Sequence, residues 1–81
     1  MTQESIRKKI KEILTELHED IDFEEEKKLV DNKILDSFDL VSLVAELGEE
    51  FDVDITARDF VAENFNALDS LTEMIIRLQD V

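Results

Sequence analysis

The chain contains no cysteine, no proline, no tryptophan and no tyrosine, and one glycine in 81 residues. Without cysteine there is no disulfide framework, no thiolate nucleophile and no cysteine-based zinc site. Scarce glycine and proline remove most of the punctuation that turns and strands need. Positive charge is also short: nine Lys and Arg face twenty-two Asp and Glu, a formal net charge of −13. Phosphate contacts need Lys and Arg, so nucleic acid and anionic membrane surfaces are poor partners. A basic protein surface is the partner this charge attracts. No uncharged apolar run exceeds three residues, Leu43-Val44-Ala45 being one. That excludes a spanning helix and a signal-peptide core, and the cytoplasm is the expected location. The single histidine, His18, is no basis for a transition-metal site. It reads as the end of a helix, where a cation meets the negative end of the dipole.

What the chain does have is apolar residues, 43% of the total, in regular spacing. That argues against disorder despite the charge. Length sets one domain with a small core, residues 1–81, and a monomer is expected. Ile6, Ile10, Ile13, Leu14 and Leu17 share one face of a helix over about 3–18. Leu40, Leu43, Val44, Leu47 and Phe51 do the same for about 37–51. Leu68, Leu71, Met74, Ile75 and Leu78 mark a last helix over about 67–79. A short helix over about 57–63 carries Phe60 and Val61. Asp36, Thr56 and Asn66 precede the last three as N-cap candidates, with Asp39, Asp59 and Asp69 three residues on.

Residues 19–36 read as a long loop pinned by Ile21, Phe23, Leu29 and Val30, with Asn32 the expected left-handed turn residue. A loop this long in so small a domain is usually functional. Charge divides unevenly. Residues 1–33 carry ten acids and seven bases, with a basic patch at Arg7, Lys8, Lys9 and Lys11. Residues 34–81 carry twelve acids and two bases. On the second helix Asp39, Ser42, Glu46, Glu49 and Glu50 fall away from the apolar stripe, toward solvent.

Asp52, Asp54, Thr56 and Glu63 match positions 1, 3, 5 and 12 of a calcium loop. Ala57 stands where that loop needs glycine, so no metal site is expected. Ser37 is the remaining candidate. It lies just inside the second helix after an exposed loop, where a phosphate ester would sit near unpaired backbone N–H groups.

The string Ile34-Leu35-Asp36-Ser37-Phe38-Asp39-Leu40 resembles the attachment site of acyl carrier proteins and the related D-alanyl and peptidyl carriers. The resemblance runs through the acidic second helix to Glu49-Glu50-Phe51, then Val53-Asp54-Ile55, a short helix and a closing amphipathic helix. It implies an all-α fold, a small four-helix bundle with a long loop between helices 1 and 2 and a short third helix. It implies a carrier rather than an enzyme, with 4′-phosphopantetheine from coenzyme A attached to Ser37 by a phosphopantetheinyl transferase. Asp36 is then the adjacent acid, and Phe38, Asp39, Val41, Glu46 and Glu49 are the residues that partner enzymes read. The thiol that the chain lacks would arrive with the cofactor and hold the cargo as a thioester. The first expectation for cargo is an acyl group for fatty-acid, polyketide or related biosynthesis. The second is an amino acid such as D-alanine, loaded by an adenylating ligase. Phe38 in place of the usual Leu, and Ser42 in place of a docking Glu, lean toward the second. From a different class, a cofactor-free acidic helical adaptor would use the same charge. Leu68-Asp69-Ser70-Leu71 holds a literal Asp-Ser-Leu, but its spacing makes it the start of the last helix.

Overall fold

A computed structural model of the chain describes residues 2–79. Among the described residues four helices form an all-α bundle: α1 (Gln3–Leu17), α2 (Ser37–Phe51), α3 (Ala62–Phe65) and α4 (Leu68–Gln79). Helix α1 packs on α4 and on α2, while α3 packs on α4. Ile6, Ile10, Ile13 and Leu14 of α1 meet Leu43, Leu47 and Phe51 of α2 in the core. Leu68, Leu71, Met74 and Ile75 of α4 close it, and all four are fully buried. Helices α1, α2 and α4 thus each bury the stripe set by their own 3.6-residue period.

The ends of the helices have identifiable causes. Thr2 caps α1 by accepting the Ser5 N–H at 3.1 Å. At the far end of α2, Asp52 takes the left-handed conformation, φ 52°, and its N–H bonds the Gly48 carbonyl. The Val53 N–H reaches the same carbonyl at 3.3 Å. Asp52 puts a carboxylate on the negative end of the helix beside Glu49 and Glu50. Asparagine tolerates the same backbone without that charge. Asp52→Asn is therefore expected to stabilise the fold by about 0.3–1 kcal/mol. Urea unfolding checks this, and an unchanged or lowered midpoint rejects it.

The short third helix lies later than the spacing suggests. The stretch expected at about 57–63 begins with a turn, in which Asp59 N–H bonds the Thr56 carbonyl and Asp59 accepts from the Thr56 hydroxyl. The Thr56 hydroxyl donates rather than accepts, so the expected N-cap does not form, and no helix follows directly. Helix α3 begins at Ala62, where Phe65 is driven into the core and Phe60 packs edge-on against it at 5.2 Å. Asn66 also has a different task from the N-cap expected of it. Its side-chain oxygen accepts the N–H groups of Val30 and Asp31, and its amide donates to Asp31. Its carbonyl accepts the Leu29 N–H. Asn66 therefore ties the long loop to the α3–α4 corner, and α4 starts two residues later.

The loop from His18 to Asp36 is held from inside. Phe23, Leu29 and Leu35 are buried in the core, and Ile21, Val30 and Ile34 pack against it. Leu35 was not among the expected anchors. The left-handed residue is Lys33, φ 59°, rather than Asn32. A turn of Asn32 N–H to Lys28 O and Lys33 N–H to Val30 O leads into it, and Leu35 N–H then bonds Leu29 O.

Salt links fasten the outside. Arg7 holds Glu24 through two hydrogen bonds, at 2.6 and 2.9 Å, and Asp69 at 2.8 Å. Lys11 also reaches Glu24, and Lys9 reaches Glu50. Three of the four bases of the expected basic patch are thus paired with acids. The Glu24 carboxyl, hydrogen-bonded by Arg7 and then by Lys11, is held down to about 2 from its ordinary 4.5. A carboxyl lowered by folding stabilises the fold above its unfolded value and loses that effect as pH falls through the folded one. The stability gap between wild type and Glu24→Gln should therefore be constant above about pH 5.5 and close between about pH 4.5 and 2. Urea titrations at successive pH values measure it. A gap that persists unchanged at pH 2 would show that the link is not electrostatic.

Candidate functional site

The loop delivers the chain to the start of α2, and the sequence there builds a reciprocal cap. Asp36 is the N-cap, in extended backbone (φ −87°, ψ −177°). Its side chain accepts the Asp39 N–H at 2.8 Å, and the Asp39 side chain accepts the Asp36 N–H at 3.4 Å. Acids at the N-cap and at the third helical position satisfy orphan N–H groups and face the positive end of the dipole. Ser37 is the first residue of the helix. It is exposed, so its hydroxyl is open to attack on, or by, a partner's substrate.

The surroundings of Ser37 are apolar on one side. Phe38 is 79% exposed and Val41 is 66% exposed. Phe60 and Val61, from the segment before α3, are also large exposed hydrophobics. Val41, Val44, Ile55, Thr56, Ala57 and Phe60 line a hollow of about 210 Å³ between α2 and that segment. Exposed apolar side chains on the first turns of α2 and on the facing segment mark a contact surface.

The acidic face is only partly as expected. Glu46, Glu49 and Glu50 are exposed. With Glu12 and Glu16 of α1 they line a groove that also holds Lys9. Asp39 and Ser42 are half-buried instead. Asp39 is drawn inward because its carboxylate contacts the His18 ring, Nε2 to Oδ2, at 2.7 Å. That bond is the main cause holding the Asp39 carboxyl below its ordinary value. His18, expected only to close α1 against the dipole, thus reaches across to α2.

The second Asp-Ser pair, Asp69-Ser70, has no free hydroxyl. Ser70 accepts the Ala67 N–H and donates to the Ala67 carbonyl, which closes the first turn of α4. Leu68 and Leu71 beside it are in the core, and Asp69 pairs with Arg7. Among the described residues no group of three or more His, Asp or Glu is placed to hold a metal ion. The Asp52–Glu63 stretch is a helix end, a turn and the start of α3.

A family model for the phosphopantetheine attachment site matches residues 4–78. The chain belongs to that family. Its members are carriers rather than enzymes, and phosphopantetheine is their cofactor. D-alanyl carrier proteins from two strains of Lactobacillus delbrueckii subsp. bulgaricus are each 32% identical to it over 76 residues. The match covers 93% of this chain and 95% of each relative. No solved structure matches the chain at a comparable level. An exposed hydroxyl at a helix N-terminus, on the helix whose Val41 lines an apolar hollow, fits a phosphoester carrying a long, partly apolar arm. Among the described residues, no helix of this carrier is long and apolar enough to cross a membrane.

Proposed function

We propose that the chain is an aminoacyl carrier of the D-alanyl type, bearing 4′-phosphopantetheine on Ser37. The observation that carries the site is the contrast between the two Asp-Ser pairs. Ser37 is exposed and follows a capped helix start, whereas Ser70 is engaged in the backbone of α4. Similarity to D-alanyl carriers over nearly the whole chain supports an amino-acid cargo over a fatty-acyl one. Phe38 and Ser42 point the same way.

In the attachment, the Ser37 oxygen attacks the pantetheine-side phosphorus of coenzyme A. The bond from that phosphorus to the bridging pyrophosphate oxygen breaks. Adenosine 3′,5′-bisphosphate leaves, and the serine proton passes to a base of the transferase. Asp36 and Asp39 hold the helix start that presents the hydroxyl. Once bound, the group supplies the thiol on which cargo is held. Phe38 and Val41 offer apolar anchors to a phosphopantetheinyl transferase or an adenylating ligase. Glu46 and Glu49 attract a basic rim on the same enzymes, and Asp39 acts mainly through the cap. Steering by such charges speeds encounter more than it tightens the complex, which suits a carrier that must be released.

The test is intact mass and peptide mapping after incubation with coenzyme A and a broad-specificity transferase. A second incubation adds ATP, D-alanine and a D-alanine-adenylating ligase. One phosphopantetheine on the peptide containing Ser37, followed by one alanyl group, is expected. No first gain, or a gain on the Ser70 peptide, overturns the site. A first gain with no alanyl transfer overturns the cargo.

A further inference from the structure

The bond between His18 and Asp39 has no role in the core or in the apolar surface around Ser37. It joins the C-cap of α1 to the first turn of α2, and so closes the long loop at both of its ends. The Asp39 Oδ2 that meets the ring is the same atom that accepts the Asp36 N–H. The Asp39 N–H is in turn held by Asp36 Oδ1. His18 is therefore one bond from the reciprocal cap, and Ser37 sits inside that cap, next to Asp36. Without the ring, the Asp39 carboxylate loses its main side-chain partner and is free to choose other rotamers. Its hold on the Asp36 N–H is already long, at 3.4 Å, and has little to spare. Both partners are partly shielded from water, with 32% of the His18 side chain and 16% of the Asp39 side chain exposed. Partial burial makes such a bond worth more than a fully solvated one.

We propose that His18 is a positioning residue for Ser37: its ring fixes the Asp36–Asp39 cap, and thereby the direction in which the serine hydroxyl is offered to a transferase. The inference rests on the reading of Ser37 as the attachment site. It concerns a residue that lies nineteen positions earlier and touches neither coenzyme A nor the serine.

Two variants separate hydrogen bonding from space filling. His18→Leu keeps bulk and loses the donor; His18→Gln keeps a side-chain N–H within reach of Asp39. The first measurement is kcat/KM for phosphopantetheine transfer to each apo chain. The expected loss is roughly five-fold in His18→Leu, the effect of one hydrogen bond, with His18→Gln within about two-fold of wild type. The second is amide exchange at Asp36 and Asp39, the two N–H groups of the cap, against the Leu71 and Ile75 amides of α4. Faster exchange at the cap, Asp36 first, and not in α4 is expected in the Leu variant, with protection restored by Gln. Equal kcat/KM for wild type and His18→Leu overturns the proposal while leaving Ser37 in place. So does a Gln variant as slow as Leu, because space or shape would then be what matters. Exchange raised equally in α4 also overturns it, since the role would be global stability. A wild-type chain that accepts no phosphopantetheine overturns the reading of the site, and this proposal with it.

Discussion

Ser37→Ala is expected to abolish the gain of phosphopantetheine completely while leaving the fold intact. The two halves of that expectation have separate physical grounds. The proposed attachment uses the Ser37 oxygen as nucleophile, and alanine has none. Asp36 and Asp39 make the cap by two bonds, Asp39 N–H to Asp36 Oδ1 and Asp36 N–H to Asp39 Oδ2. Neither bond uses the serine side chain. Alanine is also the best helix former, and the position is exposed, so stability should move by no more than about 0.5 kcal/mol. The measurement is intact mass beside a urea unfolding curve for the same sample. Ser70→Ala is the control. It removes two bonds that close the first turn of α4, so it should weaken the fold by about 1 kcal/mol yet be modified. A Ser37→Ala chain that still gains the full mass would move the site elsewhere.

Phe23→Ala is expected to be the most destabilising of the loop substitutions, at about 3–5 kcal/mol. Phe23 is 1% exposed although no helix contains it. Its ring is part of the core that α1, α2 and α4 share, so its removal leaves a cavity that rigid helices cannot fill. The next residue, Glu24, carries the pairs to Arg7 and Lys11. Loosening Phe23 thus frees the salt link as well. A chain of this length is stable by roughly 4–12 kcal/mol, so the loss takes a large share of the total. The melting temperature should fall by some 15 °C or more. Thermal and urea unfolding read the effect directly. A loss below about 1 kcal/mol would show that the loop is not held by its aromatic anchor. Because the same loop ends at Asp36, the variant should also slow modification of Ser37 near its melting range, and not far below it.

The difference between what spacing reveals and what it hides runs through these residues. The stripes of α1, α2 and α4 are legible because a long amphipathic helix repeats its apolar residues every three or four positions. The position of α3 was not legible. Four residues carry one turn, too few to show a period, and a helix so short exists only where packing of Phe65 supports it. The Thr56–Asp59 pair looked like a helix start and formed only a turn for the same reason. Lys33 rather than Asn32 took the left-handed conformation. Asn32 has the better intrinsic preference, but the burial of Leu29 and Leu35 on either side decides where the chain must reverse. A tertiary demand of that kind overrides local propensity.

At the site, Phe38 entered only through the family resemblance, whereas Ser37 behind its Asp36 N-cap could be singled out from the string, because an N-cap and the residue after it are local features. So could the doubt over Ser70, from the core spacing of Leu68 and Leu71. Two partners could not. Asn66 meets Val30 and Asp31 across 36 and 35 positions. His18 meets Asp39 across 21. A side chain that bonds so far along the chain leaves no periodicity and no motif, and a single half-buried polar residue looks the same in sequence as a solvated one. The sequence by itself determined the helical class, the acidic face, the absence of any thiol and the one serine at a loop-to-helix junction. Each of these follows from composition or from neighbours within one or two turns. Only the tertiary structure decided which polar residues turn inward, how the long loop is tied down and what holds the cap around Ser37, because those depend on which distant segments the buried stripes bring together.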